Sequence, residues 1–328
     1  MFSVIGIGSP IMDYIAHVPS DFPRKAGAQV GTMQVVDKGY IQYLLNRVTG
    51  FTKLPGGSIA NTLRGVSWLL NDVENRETKS LFIGAVGKDE NGENFQASLE
   101  KEGVIASMCY KNDLTGTSVV LVTPDGERTM MTYLGASQLL DYDCIPQGVF
   151  EGSEFFYADA YLFDSNKGFL VLDRCVKEAN RYNLKVIFDL ADPLVVKRNL
   201  SNLKDWIRNK VMVLLGNREE FYSFTGKNED DDAIEMAADY AEEIIMKIGN
   251  GGARVRLNSK DMLINTQAVL AKDSTGAGDA FAAGFIVGWK ETDSIVKAVE
   301  FGNSLAGLIV KVDGCNYQAI NRKKVYGR

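Results

Sequence analysis

Residues 273–285 read DSTGAGDAFAAGF, a polar lead-in followed by a tight glycine turn and the start of a helix. The turn of Gly276, Ala277 and Gly278 leads into a helix. It leaves the backbone N–H groups of Ala277, Gly278 and Asp279 unpaired, and the helix dipole adds positive potential at the same place. The segment therefore predicts an anion site. Asp279 stands beside that site, where a carboxylate would repel a phosphate unless it has a separate role. The role that fits is to accept a proton from a hydroxyl that attacks phosphorus.

From GAGD alone, a purely structural role for Asp279 at the helix start remains open. The full run, however, resembles the C-terminal signature of the ribokinase-like (PfkB) family of carbohydrate and nucleoside kinases. This resemblance implies that Asp279 is the catalytic base and that the preceding amides form the anion hole. In the same lead-in, Asp273 and Thr275 are candidates for holding a monovalent cation, K⁺.

A second glycine-rich segment, GGSIAN, comprises residues 56–61. Ser58 is a good N-cap residue, and apolar residues then recur at helical spacing, which predicts an amphipathic helix. The alternative is a capped helix with an exposed Asn61. GGxxxN also resembles the family's N-terminal signature, which implies a substrate-binding segment of Gly56, Gly57, Ser58 and Asn61. In it the glycines let the backbone approach the substrate, and Asn61 bonds its hydroxyls.

The chain begins with a short apolar run, FSVIGIG at residues 2–8, which predicts the first strand of an α/β sheet. A dinucleotide-binding fingerprint would need a third glycine at Ile11 and an immediate helix, which Pro10 opposes. In the kinase family the same GxG is followed by an aspartate that binds sugar hydroxyls. Asp13 stands at that position.

After about residue 154, strands and helices alternate, as in a parallel sheet covered on both faces. Within this half, Asn217 and Glu220 of GNREEF match the family's NxxE. The resemblance implies that Asn217 lies at the nucleotide and that Glu220 organises Mg²⁺ through water. Ordinary capping of a helix start is the alternative for these residues.

The segment that borders the nucleotide in the family corresponds here to Lys247, Gly249 and Gly252. The family commonly has Thr or Ser where Lys247 stands. Asn303 lies in a predicted helix of small and apolar residues, where its amide needs a partner. The resemblance implies that the nucleotide pocket supplies that partner.

The expected fold is therefore α/β: a ribokinase-like three-layer α/β/α domain over residues 1–328, with a mostly parallel central sheet and a small β-sheet lid. Predicted strands at 117–123 and 128–133 form a hairpin. With the strands near 11–18 and 32–36, it resembles the family's lid, placed at about 11–37 and 107–135. Arg128 on this hairpin could reach an anionic group in the closed site, but an arginine on a hairpin is more often solvated.

The composition excludes several classes of function. The net charge of −6 and the absence of a dense basic cluster argue against nucleic acid or an anionic membrane as a partner. The single histidine, His17, excludes His-based triads and multi-His zinc sites. The four scattered cysteines predict buried free thiols and a reducing, cytoplasmic location. A monomer and a homodimer both remain open.

The acceptor is chosen from weaker signals. Sugar-directed relatives often carry DxNxR after the mid-sheet strand, whereas residues 189–193 read DLADP and look more like the adenosine kinase branch. We therefore expect an ATP- and Mg²⁺-dependent kinase that phosphorylates a primary hydroxyl of a nucleoside, adenosine first. A kinase of ribose, fructose or a related sugar is the main alternative. A non-catalytic nucleoside-binding protein and a nicotinamide enzyme are more distant ones.

Overall fold

The computed structural model describes residues 2–70 and 79–327. Within these residues fourteen strands follow one another along the chain: β1 Val4–Ile7, β2 Ile11–His17, β3 Met33–Val35, β4 Thr52–Gly56, β5 Ser80–Gly87, β6 Val104–Lys111, β7 Gly116–Val122, β8 Arg128–Tyr133, β9 Phe155–Asp159, β10 Lys185–Asp189, β11 Val213–Asn217, β12 Glu243–Lys247, β13 Ala253–Leu257 and β14 Lys260–Ile264. The α-helices in the same residues are α1 Phe22–Lys25, α2 Lys38–Arg47, α3 Ser58–Leu70, α4 Glu90–Lys101, α5 Asn166–Arg181, α6 Pro193–Ile207, α7 Arg218–Thr225, α8 Asp230–Ala237, α9 Ala277–Thr292 and α10 Ile295–Ile309.

Nine strands form the large sheet, in the order β14-β13-β12-β11-β10-β9-β1-β5-β6. All neighbours from β12 to β6 are parallel, and β13 and β14 add an antiparallel end. Successive strand residues point to opposite faces. In β9, Phe155 and Tyr157 join the core beneath α3, α9 and α10, whereas Phe156 and Ala158 join the core beneath α5 to α8. The predicted three-layer α/β fold is confirmed.

Five strands form the smaller sheet, in the order β3-β8-β7-β2-β4. The predicted hairpin is β7 and β8, which pair antiparallel. This smaller sheet, which we call the lid after the prediction, also contains β4. The sequence did not predict β4 because TKLPG is rich in residues that disfavour strands. Residues 107–111, assigned from sequence to the lid, lie in β6 of the large sheet.

Small residues bring α9 close to α3 and α10. A Cβ on Gly284 would lie 2.7 Å from the carbonyl oxygen of Phe301 in α10. A Cβ on Gly65 of α3 would lie 2.7 Å from the Cβ of Ala283 in α9. Only glycine permits these approaches. As a result, the first turns of α3 and α9 lie side by side.

The prediction of four free thiols is wrong for one pair: Cys109 in β6 and Cys144 form a disulfide bond. The two residues are 35 positions apart and meet only because the chain returns from the lid to the edge of the large sheet. Cys175 is a buried free thiol, and Cys315 is free and half-buried. The thiol argument for a reducing compartment therefore loses its basis.

In residues 2–70 and 79–327, no helix combines the length and apolar character needed to cross a bilayer.

Candidate active site

Four neighbouring strands of the large sheet end in polar residues: β9 in Asp159, β10 in Asp189, β11 in Asn217 and β12 in Lys247. The register places Asp159 opposite Asp189 and Asn217 opposite Lys247. Because the strands are parallel, their carboxyl ends meet at one edge of the sheet, which is where ligands bind in open α/β sheets.

Two cavities, of about 380 and about 280 Å³, open at this edge and share Ser58, Ala191 and Asp279 in their walls. The larger is bordered by the strand ends and by the 276–279 segment. The smaller lies beneath the lid. Asp279 therefore stands where a group transferred from one cavity to the other would pass.

The turn before α9 requires glycine at its first position. Gly276 has a φ of +76°, and a Cβ there would lie 2.8 Å from the Cβ of Cys315. The left-handed backbone and the close neighbour each exclude a larger residue. At Gly278 a Cβ would lie 3.4 Å from Nζ of Lys247, so the turn faces the end of β12.

The predicted anion hole is one amide smaller than the sequence indicated. The N–H of Ala277 donates to the carbonyl oxygen of Ser274 at 3.1 Å, because a turn closes just before the helix begins. The N–H groups of Gly278 and Asp279 fall in the first turn of α9, where a helix offers them no acceptor. Both residues line the larger cavity, so these two amides are available to an anion.

The carboxylate of Asp279 is held by two side chains from α3. Oδ1 accepts a hydrogen bond of 2.8 Å from the Ser58 hydroxyl, and Oδ2 accepts one of 2.9 Å from Nδ2 of Asn61. Burial raises the pKa of Asp279, and the two hydrogen bonds act against that rise. The N-cap prediction for Ser58 is wrong. Ser58 is already the first residue of α3, and its hydroxyl donates to Asp279.

The two glycines of GGSIAN are needed for close contacts. Gly57 has a φ of +96°, and a Cβ there would lie 2.6 Å from the carbonyl oxygen of Ser9. A Cβ on Gly56 would lie 2.3 Å from Oδ2 of Asp13. Burial raises the pKa of Asp13 to about 7, with Arg128 acting to lower it and Asp279 to raise it. Asp13, Gly57 and Ser58 all line the smaller cavity.

Asn217 and Glu220 form a capping box at the start of α7. The two oxygens of Glu220 accept hydrogen bonds from the backbone N–H and the side-chain amide of Asn217, at 2.7 and 2.6 Å. The prediction that these residues cap a helix start is therefore confirmed, and both also line the larger cavity. Burial raises the pKa of Glu220.

The far wall of the larger cavity is built around the end of β14. Gly252 has a φ of +92°, and a Cβ there would lie 2.1 Å from the carbonyl oxygen of Ile264. The same oxygen accepts a hydrogen bond of 3.2 Å from Nδ2 of Asn303. Asn303 therefore lines the larger cavity while its amide bonds the backbone of Ile264. Gly249 also lines this cavity.

Arg128 departs from the solvated position expected of it. Its Nη1 is 3.0 Å from Oδ2 of Asp273 and donates also to the hydroxyl of Thr275, so it joins the lid to the lead-in of α9. The backbone N–H of Gly314 donates to Oδ2 of the same carboxylate at 2.9 Å. The guanidinium therefore competes with the monovalent cation predicted at Asp273 and Thr275, and that cation site stays a prediction.

Sequence reasoning missed several residues of the smaller cavity. Asp159 is 2% exposed and lies in its wall with Tyr161, Met33 and Met130. Burial, followed by the neighbouring Asp189, raises the pKa of Asp159 well above its usual range. An acidic residue at the end of a buried parallel strand was the available signal, since such ends collect at one sheet edge.

Comparison with known proteins gives a consistent result. Residues 31–322 match the family described as pfkB family carbohydrate kinase. An adenosine kinase from Sinorhizobium meliloti superimposes with a TM-score of 0.90, at 25% identity and over 99% of each chain. A probable sugar kinase from Rhizobium etli CFN 42 gives a TM-score of 0.91, at 25% identity, over 99% of this chain and 98% of the other. An adenosine kinase from Dictyostelium discoideum is 22% identical over an alignment of 351 positions, gaps included, which covers 98% of each chain.

The two solved structures share the fold from end to end, and the family consists of phosphotransferases that act on hydroxyl groups. The protein is therefore a sugar or nucleoside kinase with ATP as its co-substrate. Its match to the family covers most of its length, and its large sheet and lid are those of the ribokinase-like fold, so the chain belongs to the pfkB family of carbohydrate kinases.

Proposed function

We propose that this kinase transfers the γ-phosphate of ATP to the primary hydroxyl of a nucleoside, with adenosine as the first choice. The observation that supports it is the smaller cavity, which combines polar groups suited to a ribose with apolar side chains suited to a base, and which ends at Asp279. The adenosine kinases among the structural relatives agree with this acceptor.

The pairing of the lid strands places the polar and the apolar side chains of that cavity wall in separate groups. Asp13 of β2 lies opposite Ser118 of β7, which lies opposite Thr132 of β8, so three polar side chains form one row. Met33 of β3 lies opposite Met130 of β8 and forms an apolar pair. A purine face packs well on methionine, whereas a free sugar leaves such a surface uncovered.

Proton transfer falls to Asp279. Asp13 and Asp159 bind the ribose hydroxyls, which leaves the primary hydroxyl facing Asp279, and this carboxylate accepts its proton as the oxygen attacks phosphorus. The amides of Gly278 and Asp279 stabilise the charge that develops on the transferred group. Asn61 orients the Asp279 carboxylate, in addition to the contact with acceptor hydroxyls predicted from sequence.

ATP occupies the larger cavity, with Asn217, Gly249, Gly252 and Asn303 around it. The carboxylate of Glu220 is already bonded through both oxygens to Asn217, so a water-mediated contact is the one that suits Mg²⁺ there. Bound with ATP, Mg²⁺ shields the charge of the phosphate oxygens.

An assay of ADP release across nucleosides and free sugars tests the acceptor, with Asp279→Asn as the matched control for contaminating kinases. We expect adenosine to exceed every free sugar in kcat/KM by at least about tenfold. 5′-Deoxyadenosine, which lacks the reacting hydroxyl, should inhibit without being phosphorylated. A free sugar that outperforms every nucleoside would refute the nucleoside assignment.

The second candidate is a sugar kinase. Two carboxylates, Asp13 and Asp159, line one small cavity, a combination that also suits a polyol, and the probable sugar kinase from Rhizobium etli CFN 42 shares the whole fold. The same assay decides between the two, since ribose or fructose would then be the better acceptor.

A further inference from the structure

Lys247 is an unusual residue for its position. It ends β12 with its side chain only 14% exposed, and its Nζ lies 3.0 Å from Oδ2 of Asp189, which is 5% exposed. The related family commonly has a neutral Thr or Ser at this place. A buried ammonium group is costly unless it is paired, so its presence calls for an explanation.

The larger cavity is rich in negative charge. Its wall contains the carboxylates of Asp189, Glu220 and Asp279, and of the described residues in that wall Lys247 alone is basic. Burial lowers the pKa of Lys247, but Asp189 and Glu220 outweigh it, so the net pKa is raised. The ammonium therefore keeps its charge in an otherwise acidic wall.

The ammonium group also lies beside the anion hole. The Cβ that Gly278 lacks would be 3.4 Å from Nζ of Lys247, and Gly278 supplies one of the two available amides. An ammonium has three donors. Asp189 accepts one of them, which leaves the group able to bind an anion at the start of α9.

We propose that Lys247 binds the γ-phosphate of ATP directly and that Asp189 is the positioning residue that aims it. This inference rests on the proposed function. During transfer the bond from the γ-phosphorus to the ADP oxygen breaks and a bond to the acceptor oxygen forms. The acceptor proton goes to Asp279, and Lys247 remains protonated throughout while its charge balances the phosphoryl oxygens.

A purely structural role predicts something different. If Lys247 served only to neutralise Asp189, then removing both charges together would restore normal behaviour. If Lys247 binds the γ-phosphate, the double variant would remain defective. The informative set is Lys247→Met, Asp189→Asn and the combination of the two, with Asp279→Asn as a reference.

Calorimetric titration with ADP and with the non-hydrolysable analogue AMP-PNP, each with Mg²⁺, measures the γ-phosphate contact without any acceptor. We expect Lys247→Met to weaken AMP-PNP binding by about 10- to 100-fold and ADP binding by less than about threefold. The double variant should match Lys247→Met. Asp189→Asn should weaken AMP-PNP by a smaller factor, since it leaves the ammonium present but less well fixed.

Two outcomes would overturn the inference: wild-type AMP-PNP affinity in the double variant, or equal weakening of ADP and AMP-PNP by Lys247→Met. Should Lys247→Met not fold, the charge-balanced double variant gives the answer, and thermal unfolding reports which variants are native. A failure of the proposed function is distinguishable. It would appear in the acceptor assay, as a free sugar that outperforms every nucleoside, and it would leave the titrations with ADP and AMP-PNP unchanged.

Discussion

The side-chain amide of Asn61 donates a 2.9 Å hydrogen bond to the carboxylate of Asp279, although the two residues are 218 positions apart. Asn61 lies in the first turn of α3 and Asp279 in the first turn of α9. The other end of the Asn61 amide accepts from Nη1 of Arg64 at 3.1 Å, which fixes which end faces Asp279. The two glycine-rich signatures thus meet in a single hydrogen-bonded unit.

Replacing Asp279 with Asn tests the proposed base. The amide keeps the shape of the side chain but cannot accept the acceptor proton, so we expect kcat to fall by about two to four powers of ten. ATP affinity should change little, because the amides of Gly278 and Asp279 remain. Steady-state kinetics and nucleotide titration measure the two quantities, and turnover close to wild type would contradict the assignment.

Replacing Asn61 with Ala tests whether that residue orients the base. The hydrogen bond from Asn61 favours the ionised carboxylate and so lowers the pKa of Asp279. Its loss should raise that pKa, so the acidic limb of the kcat–pH profile should move to higher pH. We also expect kcat at the optimum to fall about tenfold, since the carboxylate loses one of its two fixed contacts.

Ser58→Ala provides the matched comparison, because Ser58 donates to the other oxygen of the same carboxylate. It should move the acidic limb in the same direction. An Asn61→Ala variant with a raised acceptor KM and an unmoved pH profile would mean that Asn61 acts on the acceptor alone.

The buried carboxyl of Asp13 should make stability depend on pH. Its pKa is raised from 3.8 to about 7 in the folded protein, chiefly by burial. The folded state therefore holds this proton more tightly than the unfolded chain, so its contribution is present below about pH 4 and is lost as the pH rises through 7. Asp13→Asn removes the effect. The Tm of the variant relative to wild type should rise by roughly 3–8 °C between pH 4 and pH 8.

Differential scanning calorimetry at several pH values provides this comparison. Asp159, Glu220 and Asp279 also have raised pKa values, but they are present in both proteins, so the pH dependence of the difference in Tm comes chiefly from Asp13. A difference that stays constant with pH would mean that folding does not change the pKa of Asp13.

The features that could be predicted from the sequence depend on residues that are close together in the chain. The backbone of Gly57 and Gly276 needs left-handed φ angles, and such glycines are visible in the sequence as turns before helices. The strand at 185–189 could be recognised by its apolar residues alone. These signals lie within a few residues of the feature that they specify.

The features that could not be predicted depend on contacts between distant segments. Asp159 becomes a cavity residue only because β9 lies next to β10 and beneath the lid. Arg128 reaches Asp273 only once the lid sheet faces the start of α9. No periodicity in the chain indicates such contacts, so the place of Arg128 on a hairpin favoured a solvated side chain.

Breaking the disulfide between Cys109 and Cys144 should destabilise the protein. The bond closes a loop that contains β7 and β8, the hairpin of the lid, across a separation of 35 residues. In the chain-entropy description, closing a loop of that length lowers the entropy of the unfolded chain and so stabilises the folded state by about 4 kcal/mol. Measured effects are commonly smaller. We expect a reductant to lower the free energy of unfolding in urea by about 2–4 kcal/mol.

The double variant Cys109→Ser with Cys144→Ser is the matched control, and its unfolding should not respond to the reductant. It leaves Cys175 and Cys315 in place, so any remaining response would come from those two free thiols. Thiol titration of the denatured wild-type protein should find two reactive groups before reduction and four after it. Four before reduction would show that the bond does not form in solution, and the two curves in urea would then coincide.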